Sequence, residues 1–106
     1  MAKYSDILIE NDDVRSDEFG SAVIITDRDV IVQDLIHAIR ESGYLIEMVG
    51  ERDPERRRLL KSRIIDLAEE DLRIIPGSIS LETAGGKWLL AGETYEFGVI
   101  RSPVWN

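Results

Sequence analysis

An α+β fold is predicted, with two main helices packed on a small, mostly antiparallel sheet formed by N-terminal and C-terminal strands. Three observations predict it: β-branched runs near both ends of the chain, two amphipathic helical stripes between them, and residues 69–81, EEDLRIIPGSISL, where an acidic helical segment passes through Pro76-Gly77 into alternating apolar residues. Strands and helices that segregate along the sequence favour this class. At 106 residues the chain fits a single domain, residues 1–106, with one modest core.

Residues 4–10, YSDILIE, read as a strand, and Asn11-Asp12-Asp13 supplies turn chemistry after it. Residues 22–26, AVIIT, are rich in β-branched side chains and read as a second strand, giving an N-terminal hairpin.

The first helix begins at Thr26 or Asp27, either of which can cap it, and stops at Gly43. Ile31, Leu35, Ala38 and Ile39 recur at helical spacing, so their stripe faces the core and leaves Arg28, Gln33, Arg40 and Glu41 nearer solvent. Residues 44–49 form an apolar connection, either a strand or a buried loop, because periodicity does not decide so short a run.

Asp53-Pro54 opens the second main helix, since aspartate accepts hydrogen bonds from free amides and proline's fixed φ suits the first turn. Leu60, Ile64, Leu67 and Ala68 share its apolar face. The bases Arg56, Arg57, Arg58, Lys61 and Arg63 gather toward its start, while Glu69, Glu70 and Asp71 gather at its end. That order opposes the helix macrodipole, which favours acids first and bases last. Packing or a partner must outweigh the cost, about 0.3–1 kcal/mol for each terminal charge.

After the Pro76-Gly77 turn, Ile79, Leu81 and Thr83 alternate with polar residues as a half-buried strand does. Gly85-Gly86 marks a hairpin before Trp88, and a last strand includes residues 95–100. Residues 102–106 are expected to be a loose tail, in which Trp105 would cover apolar surface on a docked neighbour.

The net charge of −8 is unevenly spread. Residues 1–51 carry 12 acidic and 4 basic side chains, residues 52–63 carry 2 and 6, and residues 64–106 carry 7 and 3. This balance argues against nonspecific nucleic-acid binding, which needs a broad cationic surface. Complementary pairing of an acidic face with the basic island suits it better. The chain has no cysteine, and no window approaches the roughly 20 apolar residues of a membrane span, so a soluble protein made without export is expected.

Residue types for catalysis do not converge. His37 lies at helical spacing from Asp34 and Glu41, but no second histidine or cysteine completes a metal set. No serine occupies a nucleophile turn. Glu69, Glu70 and Asp71 project in different directions, which disfavours the opposed carboxylates of a glycosidase and favours solvated charges or a salt bridge to Arg73. Gly85-Gly86 lacks the lysine-serine or lysine-threonine that would make it a phosphate cradle.

Gln33-Asp34-Leu35, Glu70-Asp71-Leu72-Arg73-Ile74 and Pro76-Gly77-Ser78, taken together, resemble uncharacterised prophage proteins related to the small baseplate-wedge subunits of contractile phage tails, over about residues 7–98. In the wedge family a Gln-Asn pair occupies the first helix and a Glu-Pro-Arg triplet lies between the later helix and its strand. Here Gln33-Asp34 stands in place of the pair and Asp71-Leu72-Arg73 in place of the triplet, with Arg73 matching and the proline missing. Some wedge relatives carry a lysozyme label, for which this chain supplies no catalytic pair.

The resemblance implies a non-enzymatic structural subunit of a tail or baseplate that needs no cofactor. Its partners would be other tail or baseplate proteins or further copies of itself, with no nucleic acid and no membrane. It would occupy the bacterial host cytoplasm when expressed and the virion tail once assembled. Arg56, Arg57, Arg58, Lys61 and Arg63 and the Asp71-Arg73 corner are the candidate assembly contacts. The alternative is a small cytoplasmic adaptor or regulatory module that binds another protein through the same surface.

Overall fold

The computed structural model describes residues 3–7, 9–10, 13–14 and 24–105. Four short strands, β1 (Ser5–Ile7), β2 (Ile9–Glu10), β3 (Asp13–Val14) and β4 (Ile24–Thr26), precede the helices α1 (Arg28–Ser42), α2 (Tyr44–Gly50) and α3 (Pro54–Glu69). Strands β5 (Ser80–Ala84), β6 (Lys87–Thr94) and β7 (Gly98–Trp105) follow. The α+β class therefore holds, and both long helices pack against the C-terminal sheet: α1 meets β7 and α3 meets β5.

The strands are partitioned differently from the expected single sheet. Strands β5, β6 and β7 form a three-stranded antiparallel sheet by themselves, while β1 pairs with β4 and β2 with β3. The expected N-terminal pairing appears as Ser5 opposite Thr26 and Ile7 opposite Ile24. A smaller pair joins β2 to β3, while Asn11 and Asp12 of the expected turn and residues 22–23 of the expected second strand lie outside the described set.

Asp27 occupies the N-cap position of α1, yet its carboxylate caps no helical amide. Its Oδ1 instead accepts from the backbone N–H groups of Lys3 at 2.8 Å and Tyr4 at 3.1 Å, and its own N–H donates to the Tyr4 carbonyl. The side chain ties the start of the chain to the start of α1, a use that the capping expectation did not include.

At the other end of α1, Gly43 adopts φ 77° and reverses the chain into α2. Residues 44–50 are thus a helix, neither a strand nor a loop. Leu45 and Met48, three positions apart, turn to one side and are buried, while Ile46 and Val49 stay exposed. The seven-residue length explains why the apolar run hid its period.

Helix α3 starts as its sequence indicates. Asp53 Oδ1 accepts from the Glu55 N–H at 3.1 Å, and Pro54 takes the first turn. Leu60, Ile64 and Ala68 are buried on one stripe, and Leu67 is half-buried beside them. Full burial of a leucine or isoleucine contributes about 1.5–3 kcal/mol, so this stripe anchors α3 to the core. Ile31, Leu35 and Ile39 of α1 meet it, with Leu81, Leu90, Ile100 and Val104 completing the sheet side of the core.

The expected loose tail is a strand. Strand β7 continues through Trp105, with Ser102 opposite Leu90, Pro103 opposite Leu89 and Trp105 opposite Trp88. Val104 is only 1% exposed, so apolar burial together with the β6 ladder holds this segment in place. Pro103, which cannot donate to a ladder, sits on an edge strand. The Trp105 side chain and Asn106 lie outside the described set.

Candidate functional site

The junction after α3 is built around one guanidinium. Arg73 donates from Nε to Asp71 Oδ1 at 2.9 Å and from Nη2 to Asp34 Oδ2 at 2.9 Å, and Nη2 also bonds Asp71 Oδ2. The Asp71 side chain also accepts from the backbone N–H of Arg73 at 2.9 Å, an Asx-type turn that local sequence chemistry favours. The corner thus joins three residues: Asp34 on α1, and Asp71 and Arg73 beyond α3.

Electrostatics stiffens this arrangement. Arg73's side-chain hydrogen bonds hold the Asp71 carboxyl below the usual carboxylate range, against the opposing pull of partial burial. The bonds to Asp71, followed by those to Asp34, raise the Arg73 guanidinium above its ordinary value. Arg73 Cζ also lies 5.2 Å from the Tyr4 ring centroid, and Tyr4 meets Phe97 edge to face with centroids 5.9 Å apart.

Backbone bonds tie the corner to the sheet. The Tyr95 N–H donates to the Arg73 carbonyl at 3.1 Å, and the Ile75 N–H donates to the Glu93 carbonyl at 2.9 Å. Ile74 forms an antiparallel bridge with Thr94, whose hydroxyl accepts from the Phe97 N–H at 2.8 Å and donates to the Gly98 carbonyl at 2.9 Å. Gly77, with φ 84°, completes the Pro76-Gly77 turn. Glu69 clamps that turn to the end of α3 by accepting from the N–H groups of Gly77 at 2.9 Å and Ile79 at 3.3 Å.

What this frame presents outward is apolar. Leu72, at the apex between Asp71 and Arg73, is 91% exposed, and Tyr95 in the β6–β7 turn is 63% exposed. Both border a cleft of about 220 Å³ shared with Tyr4, Arg73, Glu96 and Phe97. Sequence reasoning found Asp71 and Arg73 but missed Leu72 and Tyr95. The available signal was an apolar residue inside the polar turn Asp71-Leu72-Arg73.

The basic island lies elsewhere, around the first turns of α3. Arg56 pairs with Glu51 at 3.0 Å and Glu47 at 3.8 Å, Lys61 pairs with Glu82 at 3.6 Å, and Arg63 lies over the Tyr44 ring at 5.9 Å. Arg57 and Arg58 are exposed and carry no ion pair with a described residue. With Lys61 they border a shallow groove of about 240 Å³ whose apolar floor is Met48, Pro54 and Trp88. The structure therefore divides the predicted contacts between two places: Asp71 and Arg73 at the corner, and Arg57, Arg58 and Lys61 at the groove.

His37 is half-buried on α1, while Asp34, its neighbour by helical spacing, is engaged by Arg73. Among the described residues no three histidine, cysteine or acidic side chains gather into a metal-binding group. No helix among them is long and apolar enough to cross a membrane. At the corner two carboxylates share one guanidinium, which leaves one net negative charge in an ion-pair network suited to fixing a surface.

Comparison with known proteins gives two matches. Residues 5–103 match a family described as "Protein of unknown function (DUF2590)". The chain is also 40% identical over 96 residues, 90% of its length and 86% of the relative's, to the "Uncharacterized 12.7 kDa protein in lys 3'region" of Haemophilus phage HP1 (strain HP1c1). No solved structure matches the chain.

Proposed function

This chain belongs to the DUF2590 family, which the match over residues 5–103 establishes, and from that premise we propose that it is a non-enzymatic structural subunit of a phage or prophage contractile tail or baseplate. The phage-encoded relative supports a phage role. The observation that carries the structural role is the braced corner: Arg73 holds Asp34 and Asp71 together and thereby presents Leu72 and Tyr95 to solvent on a rigid frame. An exposed apolar pair costs a free protein solubility and gains its use when a partner covers it. A frame fixed in advance lowers the ordering cost of that contact.

The motif positions named by the resemblance also meet in space. Asp34, the second residue of the Gln33-Asp34 that stands in place of the wedge family's Gln-Asn pair, bonds Arg73, the matching residue of its triplet. That contact supports a common use of the corner.

The test is deletion of the gene from a phage that carries it, followed by electron microscopy of the lysate and complementation in trans. The account expects defective or absent tails, rescued by the wild-type gene and poorly by Leu72→Ser/Tyr95→Ser. Normal infectious particles from the deletion would reject the structural role. Copurification of the intact protein with a single non-phage bacterial protein would favour an adaptor.

A further inference from the structure

Helix α3 starts with Asp53 and Glu55, as the macrodipole favours, yet it carries Arg57, Arg58 and Lys61 on the following turns and Glu69 and Glu70 at its end, and the two surfaces it separates suggest what that arrangement serves. A 16-residue helix is about 24 Å long, so it separates its two ends by most of a small domain's width. On its first half, Arg57, Arg58 and Lys61 surround the apolar floor of Met48, Pro54 and Trp88. Beyond its end lies the apolar pair Leu72 and Tyr95. Among the described residues lining or ion-paired at that end, the carboxylates of Asp34, Asp71 and Glu96 outnumber the cations Lys3 and Arg73.

Strand β6 separates the same two places independently. Trp88 is its second residue, and Tyr95 follows its last residue, Thr94. Seven steps at about 3.3 Å each set them about 23 Å apart. One end is a cationic groove with an apolar floor, and the other is an apolar projection with an acidic surround. In the sign of its charge, each end complements the other.

We propose that a second copy of this chain occupies the groove: Leu72 and Tyr95 of one copy enter the Met48–Pro54–Trp88 floor of the next, while Arg57 and Arg58 face the acidic surround of the entering corner. The contact is heterologous, because different surfaces of the two copies meet. Repeated, it generates a closed ring or an open filament. Each cationic groove thereby faces the anionic corner of the next copy. This inference rests on the assembly reading above, but its test is separate: self-association of the purified chain is measured without any phage particle.

The experiment is sedimentation velocity with light scattering on the full chain over a concentration series. Wild type is expected to grow beyond a dimer, with its average mass falling as ionic strength rises and charges are screened. Leu72→Ser/Tyr95→Ser and Arg57→Glu/Arg58→Glu should each be monomeric alone, since each lacks one half of the junction. Mixed in equal amounts they should form a one-to-one dimer that grows no further, because one native projection meets one native groove. Circular dichroism confirms that both variants fold, and the salt dependence of wild type tests the contact without any substitution. A wild type that stays monomeric, stops at a symmetric dimer, is insensitive to salt, or associates equally well after either double substitution overturns the proposal. If self-association follows the expected pattern while the protein proves absent from phage particles, the junction stands and the tail reading falls.

Discussion

Arg73 Nη2 donates to Asp34 Oδ2 at 2.9 Å across a sequence separation of 39 residues, linking the segment after α3 to the middle of α1. Asp71 supplies the local half of the same network. Asp71 meets Nε and Nη2 with its two oxygens and so sets the guanidinium plane, while Asp34 adds a second carboxylate. Together with the Tyr4 ring at 5.2 Å they hold it from several directions.

Removing that guanidinium has a predictable cost. Arg73→Ala should destabilise the fold by about 1–3 kcal/mol, because it leaves two partly buried carboxylates without their charge-assisted partner. Arg73→Lys should recover only part of the loss, since an ammonium cannot reproduce the planar, bidentate geometry. Urea unfolding of the two variants measures both effects. An unchanged midpoint in Arg73→Ala would show that the network adds nothing to stability.

The pH dependence follows from Asp71. Its folded-state pKa is depressed, chiefly by the Arg73 side-chain bonds, so its contribution is fully present above the unfolded value of about 3.9 and is lost as pH falls through the folded value. Asp71→Asn should therefore be less stable than wild type at pH 6, and the difference should shrink as pH falls below about 4. Thermal unfolding of both proteins from pH 6 to pH 2.5, at fixed ionic strength, gives the comparison. A constant difference across that range would assign the Asp71 effect to something other than its charge.

Leu72 separates stability from assembly. The side chain is 91% exposed, so Leu72→Ser should shift folding stability by no more than about 0.5 kcal/mol. The same substitution should weaken association, because an apolar anchor is lost from the contact. Chemical denaturation measures the first effect and analytical ultracentrifugation the second. A large loss of stability would mean that Leu72 belongs to the fold rather than to the contact.

Gly43 tests the short helix. With φ 77° it turns α1 into α2, and Gly43→Ala should cost about 1–2 kcal/mol because a Cβ disfavours that backbone region. No atom lies within 4 Å of the added Cβ, so the loss would come from the backbone alone. Unfolding midpoints check it, with Gly50→Ala as a control at a glycine whose surroundings also leave room for a Cβ.

The legible parts of this fold are those specified by local chemistry. Asp53-Pro54 announced α3, the Leu60-Ile64-Ala68 stripe gave its buried face, and Gly85-Gly86 placed the β5–β6 hairpin. The Asp71–Arg73 pairing was likewise close enough in sequence to read. The Asp34–Arg73 bond was not, because nothing local says which distant carboxylate an arginine will reach. Helix α2 was obscured by its seven residues, too few to display a period, and the strand character of residues 102–105 depends on the ladder that β6 offers. Leu72 and Tyr95 were missed because exposure depends on where neighbouring elements pack, which residue type alone does not reveal.

The central claim is that this chain is a building block of the phage particle. Quantitative mass spectrometry of gradient-purified particles from a phage encoding it, normalised to the tail tube and sheath proteins, tests that claim most directly. The account predicts that the chain co-sediments with intact particles at a fixed ratio to the tail proteins. Its absence from intact, infectious particles, while it remains abundant in the lysate, would contradict the account.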